Sequence, residues 1–530
     1  MVSLFDYWFS HPNVWFNPTT SDDEYITSTY FKHVPIPDSV DNFRKGMDAI
    51  LYYDQVTRHA QRIIGNINCD EYCLKILDFA KKFYCKYKYS LIPVEFAFIL
   101  LPLRHSKIYS NILYVIKETL YKIKSEPKEL EYKRFLKATL DKYIIQCDDT
   151  KNIEQIYPEE SIDEISDLKN ICELGLEVYR PRPIHNSIPK NFDEKFQLTD
   201  NKLETTYKHI ISLSGGVDSM VMSYILTKKY GPDNVVAVHI NYNNRKECES
   251  EVNIIKIWCL FLKIKLYIRT IVELNRPECM DLELRDLYET FTRNIRYTTY
   301  INTSKLLGLD KCIVYLGHNQ DDRFENILTN IVSESHYSNL NGMEFESKQV
   351  FNSNEIIFRR PMLNIVKSDI FSFANFCQIP HFTDSTPKWS QRGKIRDIVR
   401  PAIETWEPKA IKSFFALSDT IAELMTILDS TVHTYVEKIK NDNKLDININ
   451  SIPQKILFKT IFTKLNLHIT QKSLESFYEK MEFIKQNFEK YKVNTPNFFQ
   501  LNKYTKLKWI KNNNEDFTLF FNEYMRTQSN

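Results

Sequence analysis

The chain is 530 residues long, 43% hydrophobic and 26% charged, with a formal charge of +2 from 70 Lys and Arg against 68 Asp and Glu. The length suggests roughly three or four domains, and near-neutrality excludes a polycation, so any nucleic-acid surface must be local. Ten scattered cysteines with no C-x-x-C pair exclude a zinc knuckle or disulfide framework and make reduced thiols in the cytoplasm the expectation.

Residues 1–178 read as an all-helical domain, with apolar residues at helical spacing and little β-rich alternation. The segment Met1–Asp6 lacks the basic flank and cleavage site of a signal peptide. The longest apolar run, Leu91–Leu103, contains Glu95 and is too short for a bilayer, so no membrane partner is expected. An acidic stretch from Asp148 to Asp167 suits a solvated helix face or loop. Residues 179–204, with Pro181, Pro183 and Pro189, read as a linker.

From 205 to 400 the texture changes. Strands are predicted over 209–214, 235–240, 266–271 and 312–316, and helices over 218–230, 248–262, 281–307 and 321–332. That alternation predicts an α/β domain with a parallel, doubly wound sheet whose ligand lies beyond the carboxyl ends of the strands. Residues 401–530 return to a helical pattern, so all-α domains are expected on both flanks.

Only 10 of the residues are glycine, against an average usage of about 7%. None has the spacing of a G-x-G-x-x-G fingerprint or a G-x-x-x-x-G-K-[ST] loop. The one adjacent pair lies in Ser214-Gly215-Gly216-Val217-Asp218-Ser219, between a predicted strand and helix. Inward-facing amides and a helix N-terminus make an anion cradle there, the two serines can add donors, and Asp218 can hold Mg²⁺ against phosphate oxygens. A plain capped turn is the alternative. Glu289, Arg293, Arg296 and Tyr297 fall on one helix face, as an RNA-facing array or a salt-bridge ladder would. Gly317-His318-Asn319-Gln320-Asp321-Asp322-Arg323-Phe324-Glu325 repeats the pattern of glycine at a strand end and carboxylates opening a helix. Arg392, Lys394 and Arg396 form a basic group suited to phosphate or RNA, or else a solvated loop. Residues 451–511 carry twelve lysines and no arginine against four glutamates and no aspartate, with aromatics interleaved. They form a candidate RNA surface, or core aromatics under a solvated lysine face.

The hexapeptide at 214–219 resembles the signature of the PP-loop, or N-type, ATP pyrophosphatases, which adenylate an oxygen and release pyrophosphate. The later blocks resemble tRNA(Ile)-lysidine synthetases. They are His239…Arg245…Glu251, Glu289-x-x-x-Arg293-x-x-Arg296-Tyr297, Gly317-His318…Asp321-Asp322-x-x-Glu325, Ser338…Gly342-Met343, Arg360-Pro361, and Asp384-Ser385 through Arg392 and Arg396 to Arg400-Pro401. Departures stand at Asn241, at Asn319 in place of a second histidine, at Thr386-Pro387, and at Gly393 in place of asparagine. The resemblance implies an adenine nucleotide alpha hydrolase-like fold, ATP and Mg²⁺ as cofactors, and tRNA and free lysine as substrates. It further implies binding of ATP by residues 214–219 and catalytic roles for Asp218, His318, Asp322 and Arg396. Glu325 would hold the amine, and Arg293, Arg296, Arg392 and Lys394 would contact RNA. Thiolation or amidation by another PP-loop enzyme, and a non-catalytic RNA-binding scaffold, are the alternatives. The absence of C-x-x-C and of cysteine from the two glycine blocks favours an amine over sulfur. The N-terminus resembles a separate helical, TPR-like bacterial family of unassigned activity, through Phe5-Asp-Tyr-Trp-Phe9, Leu51-Tyr-Tyr-Asp54-Gln55-x-x-Arg58 and Leu101-Pro-Leu-Arg104-His105-Ser106. Arg104 stands where that family has glutamate. Asp54, Arg58 and His105 are expected to pair structurally, and these helices are a candidate surface for a protein partner.

Overall fold

A computed structural model describes residues 2–15, 17–146, 149–158, 196, 208–245, 247–333, 342–382, 390–465, 467, 469–501 and 506–521. They fall into two compact units, Met1–Asp322 with Glu344–Thr386, and Arg323–Met343 with Pro387–Asn530. The predicted linker, Ser338 and Asp384 to Pro387 lie outside the described residues, apart from Phe196.

The first unit opens with helices α1 (Leu4–Ser10), α2 (Thr20–Tyr30), α3 (Phe43–Leu51), α4 (Thr57–Ile64), α5 (Cys69–Tyr87), α6 (Pro93–His105), α7 (Tyr109–Ser125) and α8 (Leu130–Gln146). Their starts follow local chemistry, as in the reciprocal capping box of Thr19 with Asp22 on α2 and the Asn68 side chain that caps α5. Between α3 and α4 the backbone widens into a π-turn over Tyr52–Val56. The all-helical expectation for 1–178 meets one exception. Strand β1 (Ile153–Ile156) pairs antiparallel with β4 (Lys265–Thr270) and joins the helical region to the sheet.

The remaining elements of that sheet are β2 (His209–Ser212), α9 (Val217–Tyr230), β3 (Val235–Asn241), α10 (Cys248–Leu262), then β4, α11 (Arg276–Asp281), α12 (Arg285–Leu306), β5 (Cys312–Tyr315), α13 (Gln320–Val332), β6 (Glu346–Phe351), β7 (Asn354–Arg359) and α14 (Lys367–Cys377). The strand order is β1-β4-β3-β2-β5-β7-β6. The inner strands are parallel, and both edges are antiparallel. Strands β2, β3 and β5 are buried almost throughout, as apolar strands covered on both faces must be. Core side chains of the N-terminal helices continue into one sheet face through Ile210, Val236, Val238 and Phe291. The other face is covered by Val221, Ile225, Trp258 and Phe373 from α9, α10 and α14. The chain runs outward from β2 through β3 to β4, then returns to place β5 on the other flank of β2. The reversal between β2 and β5 is the switch point where such sheets bind ligands.

A buried polar network ties the N-terminal helices to this sheet. Arg269 of β4 donates to Asp149 (2.9 Å), Glu273 (2.5 Å) and the Tyr143 hydroxyl (3.1 Å), and Tyr109 donates to Glu273 (3.0 Å). All of Arg269, Asp149 and Glu273 are buried, and the two carboxylates hold the guanidinium in its charged form despite the cost of desolvation.

The second unit corrects the expectation of an all-α C-terminus. It contains α15 (Gln391–Lys394), α16 (Arg400–Trp406), α17 (Ala410–Asp442), α18 (Lys455–Lys464) and α19 (Gln471–Gln486). It also holds an antiparallel sheet in the order β8 (Lys444–Asn448), β11 (Asp516–Phe520), β10 (Lys506–Lys511), β9 (Pro496–Gln500). In Lys506-Leu-Lys-Trp-Ile-Lys511 the burial alternates residue by residue, with Leu507, Trp509 and Lys511 inward. The period is that of a strand, and the lysines had suggested a solvated helix. Among the described residues no helix is long and apolar enough to cross a membrane.

Candidate functional site

The loop leaving β2 is shaped by what cannot fit there. Gly215 has φ +85°, and a Cβ on it would lie 2.1 Å from the Phe382 ring, so only glycine is accommodated. Its carbonyl accepts from the Phe382 amide (3.0 Å). Gly216 is the N-cap of α9, and Val217 and Ser219 are buried at its start. The Ser219 hydroxyl accepts from the Ser214 amide (3.1 Å), sits 3.1 Å from the Ser214 hydroxyl, and donates to the Gly216 carbonyl (3.0 Å). The two serines therefore brace the turn, and Ser214 is exposed at its surface. Behind it, Nδ1 of buried His239 lies 2.8 Å from the Leu213 carbonyl, and burial pushes the His239 pKa down, so a neutral ring donates to the strand exit.

The loop leaving β5 approaches from the other flank of β2. A Cβ on Gly317 would lie 3.0 Å from the Ser219 amide nitrogen and 3.1 Å from the Asp218 carbonyl carbon, so glycine permits this approach of two backbones. Asn319 is buried at the contact. Its amide group donates to Asp218 (2.9 Å), and its side-chain oxygen accepts from the amides of Asp321 and Asp322 (2.8 and 3.2 Å). The Asp322 carboxylate in turn accepts from the Asn319 amide (3.1 Å), a reciprocal cap on α13. Lys367, the first residue of α14, forms an ion pair with Asp218. Burial raises the Asp218 pKa. Lys367 opposes that shift and the charge of Asp322 adds to it. His318 lies in the same turn, its Nδ1 accepting from Arg360 (3.2 Å).

The structure thus brings together Ser214, Gly215, Gly216, Val217, Asp218, Ser219, His318 and Asp322 at the switch point. It adds Asn319, Lys367 and Arg360, to which the sequence reading gave no role. Arg360 had its Arg-Pro signal. Lys367 had none.

Glu325, Arg392, Lys394 and Arg396 belong to the second unit. Glu325 is buried and accepts from Arg392 (2.8 Å) and twice from Arg396 (2.9 and 2.8 Å). Its carboxylate thus binds two guanidiniums where an amine partner was expected. Gly393, the departure from asparagine, is buried within α15 and donates its amide to Ser390 (3.0 Å), and Lys394 is exposed. On α12 of the first unit, Glu289 pairs with Arg285 (2.9 Å), so the expected ladder runs the other way and Arg293 stands exposed. Arg296 is half-buried beside Tyr242, Tyr297 and Tyr300, a poor position for RNA contact. Asn241 accepts from the Asn243 amide (2.9 Å) and shapes the exit of β3, and Arg245 pairs with Glu251 (2.7 Å). In the basic stretch, Phe477, Phe488, Phe499 and Trp509 are core residues, and Phe483 and Phe498 remain 59% and 55% exposed. The core alternative takes most of those aromatics.

A doubly wound sheet with a Ser-Gly-Gly-Val-Asp-Ser loop at its switch point defines a PP-loop α/β domain, and residues 188–403 match the PP-loop domain family. This chain carries that domain. The tRNA(Ile)-lysidine synthase of Mesoplasma florum is 28% identical over 273 residues, covering 50% of this chain and 63% of that protein. The Chlamydia trachomatis (serovar L2) tRNA(Ile)-lysidine synthase is 27% identical over 258 residues, 48% of this chain and 75% of that one. The chain therefore spans less than two thirds of the Mesoplasma relative. Among solved structures, the U34-tRNA thiolase NcsA from Methanococcus maripaludis aligns at 20% identity with a TM-score of 0.35, over 44% of this chain and 79% of that one.

Proposed function

We propose that this chain is an ATP-dependent tRNA-modifying ligase that joins lysine to a wobble cytidine. The observation that carries the reading is the meeting of the 214–219 loop with Asp218, Asn319 and Asp322 at the switch point of a domain whose curated relatives are tRNA(Ile)-lysidine synthases. The braced turn and the α9 N-terminus suit a triphosphate. Among the described residues no set of three or more His, Cys, Asp or Glu is grouped as a metal cage. Mg²⁺ fits this setting, because it rests on one or two carboxylates and the substrate's own phosphates. Asp218, with Asp322 beside it, would hold the ion, which when bound supplies charge neutralisation at the phosphates.

In the first step the cytidine C2 oxygen attacks the α-phosphorus, forming an O–P bond as the bond to pyrophosphate breaks. In the second the neutral ε-amine of lysine attacks C2, a C–N bond forms, and the C–O bond to AMP breaks. The amine's proton passes to the Asp322 carboxylate, because His318 Nδ1 already accepts from Arg360. Arg396 and Arg392, held by Glu325 within the second unit, would meet anionic RNA or phosphate. Positioning and charge stabilisation carry most of the rate. An amine rather than sulfur as nucleophile agrees with the burial of Cys248, Cys259, Cys279, Cys312 and Cys377. Burial also pushes the Cys279 and Cys312 thiols up to about 12, away from reactive thiolate.

The test supplies purified protein with α-labelled ATP, candidate tRNAs and labelled lysine. tRNA-dependent release of AMP and pyrophosphate with lysine label in the RNA is expected. Pyrophosphate release without lysine, with sulfide entering the RNA, overturns the lysine assignment. tRNA binding without turnover favours the scaffold.

A further inference from the structure

The N-terminal helices hold a second charged centre, remote in sequence from the PP-loop and unused by the proposed chemistry. Asp54 is 1% exposed and sits in the π-turn at 52–56, a backbone irregularity that recurs at functional sites. It accepts from Arg58 (3.1 Å), His105 Nδ1 (2.8 and 3.0 Å) and Gln55 (2.5 Å). On α6, Pro102 lies inside the helix, and Arg104 and His105 follow it after Leu103. With Nδ1 donating to Asp54, His105 turns Nε2 towards an Arg104 nitrogen 3.4 Å away. Burial pushes the His105 pKa down to about 4, so the ring is neutral at physiological pH. Arg104 Nε is buried without a hydrogen-bond partner. Neither Arg104 nor Lys142 of α8 forms an ion pair among the described residues, and both side chains are only partly exposed. Burial, then repulsion from Arg104 and Arg58, pushes the Lys142 pKa down to about 8.

Two arginines from two helices thus flank one carboxylate whose oxygens are already occupied, and the ammonium of Lys142 on a third helix is near enough to be repelled by both. A fold rarely gathers surplus positive charge with an unpartnered donor in a half-buried place, because desolvated charge without a counter-ion is costly. The missing component is an anion. A tetrahedral oxyanion can accept from three directions, and a planar carboxylate is matched by a single guanidinium. We infer that Arg58, Arg104 and Lys142, with Asp54 and His105 holding the arginines in place, form a binding site for the phosphoryl group of a small phosphate monoester.

The test uses the full-length protein and inorganic phosphate as probe, in isothermal titration calorimetry with ATP and EDTA present so that the 214–219 loop is filled without turnover. If that loop does not take ATP, its own phosphate binding persists in every variant, so only the variant-sensitive component reports on the N-terminal site. Saturable phosphate binding is expected, weakened at least about tenfold in both Arg104→Leu and Lys142→Met and largely kept in Arg104→Lys. A tenfold change corresponds to about 1.4 kcal/mol. Lys142 is partly exposed, so its variant reports even if Arg104→Leu fails to fold. Binding that is unchanged in Lys142→Met, or absent from the wild type, overturns the site.

Discussion

Asp54 and Asp218 belong to the same compact unit, both are largely shielded from water, and their surroundings act on them in opposite directions. Asp218 meets one cation, Lys367, with Asp322 nearby, and burial leaves its pKa above the ordinary carboxylate value. Asp54 is buried more deeply, yet contact with His105 and Arg58 outweighs that burial and holds its pKa far below the ordinary value. The difference is one of local charge balance. The switch point is short of positive charge, which suits a place where a metal ion and its nucleotide arrive together. The N-terminal centre has positive charge to spare, which suits a place where an anion arrives alone. Burial depth would rank these two carboxylates the other way round, so the partners decide.

The largest expected effect tests the N-terminal side. Asp54→Ala leaves Arg58, Arg104 and Lys142 without their one counter-charge, and breaking a buried pair of this kind costs about 3–5 kcal/mol. Hydrogen exchange of α4 and α6 should accelerate accordingly. Asp218→Asn should do the reverse. The charged form of Asp218 is already disfavoured, so the melting temperature should stay within about 3 °C of wild type. tRNA-stimulated pyrophosphate release should fall by about 10²–10³-fold, as when a charge-stabilising group is lost. If the Asp218 variant unfolds and the Asp54 variant does not, the contrast between the two centres collapses.

Much of the switch point was legible because its chemistry is local. Two adjacent glycines between a β-rich run and a helical run specify the 214–219 turn, and Gly317 with Asp322 repeats the pattern a hundred residues later. Helix α10 is observed at its predicted bounds, 248–262. What escaped depends on long-range pairing. Lys367 reaches Asp218 across 149 positions, and nothing in its own neighbourhood marks it. Asn319 read as a departure from the family pattern, yet its amide group is what grips Asp218. The four residues of β1 have no strand signal within an acidic stretch, and their conformation comes from β4. In β10 the alternation was present in the sequence, and six residues with three lysines were too few to outweigh the helical reading.

Acid should also separate the two centres. The His105 pKa is about 4 in the folded chain, below its ordinary 6.5, so the unfolded chain binds more protons between those values. Stability is therefore greatest above pH 6.5 and falls as pH drops towards 4, by about 3 kcal/mol if His105 acts alone. Asp54, with a depressed pKa of its own, adds to the loss at still lower pH. Hydrogen exchange of peptides covering 52–58 and 100–106, corrected for intrinsic rates, should reveal this slope. His105→Gln, which keeps a donor for Asp54 and cannot titrate, should flatten it. Peptides from α9 should show no such slope from His105.

Lys367→Met has the smallest expected effect and makes the sharpest test of the charge-poor centre. Lys367 pairs with Asp218, and its side chain is 24% exposed, so it is free to turn towards an arriving phosphate. If it does, it exchanges one anionic partner for another, and its loss weakens ATP binding without touching the later attack by the amine. The expected result is a KM for ATP raised about tenfold, about 1.4 kcal/mol, with kcat at saturating ATP nearly unchanged. If Lys367 instead only neutralises Asp218 until the metal ion displaces it, removing it leaves the KM for ATP unchanged and lowers the Mg²⁺ concentration needed for half-maximal rate. Measuring rate against ATP at fixed Mg²⁺, then against Mg²⁺ at fixed ATP, separates the two, because the first role moves only the ATP curve and the second only the Mg²⁺ curve.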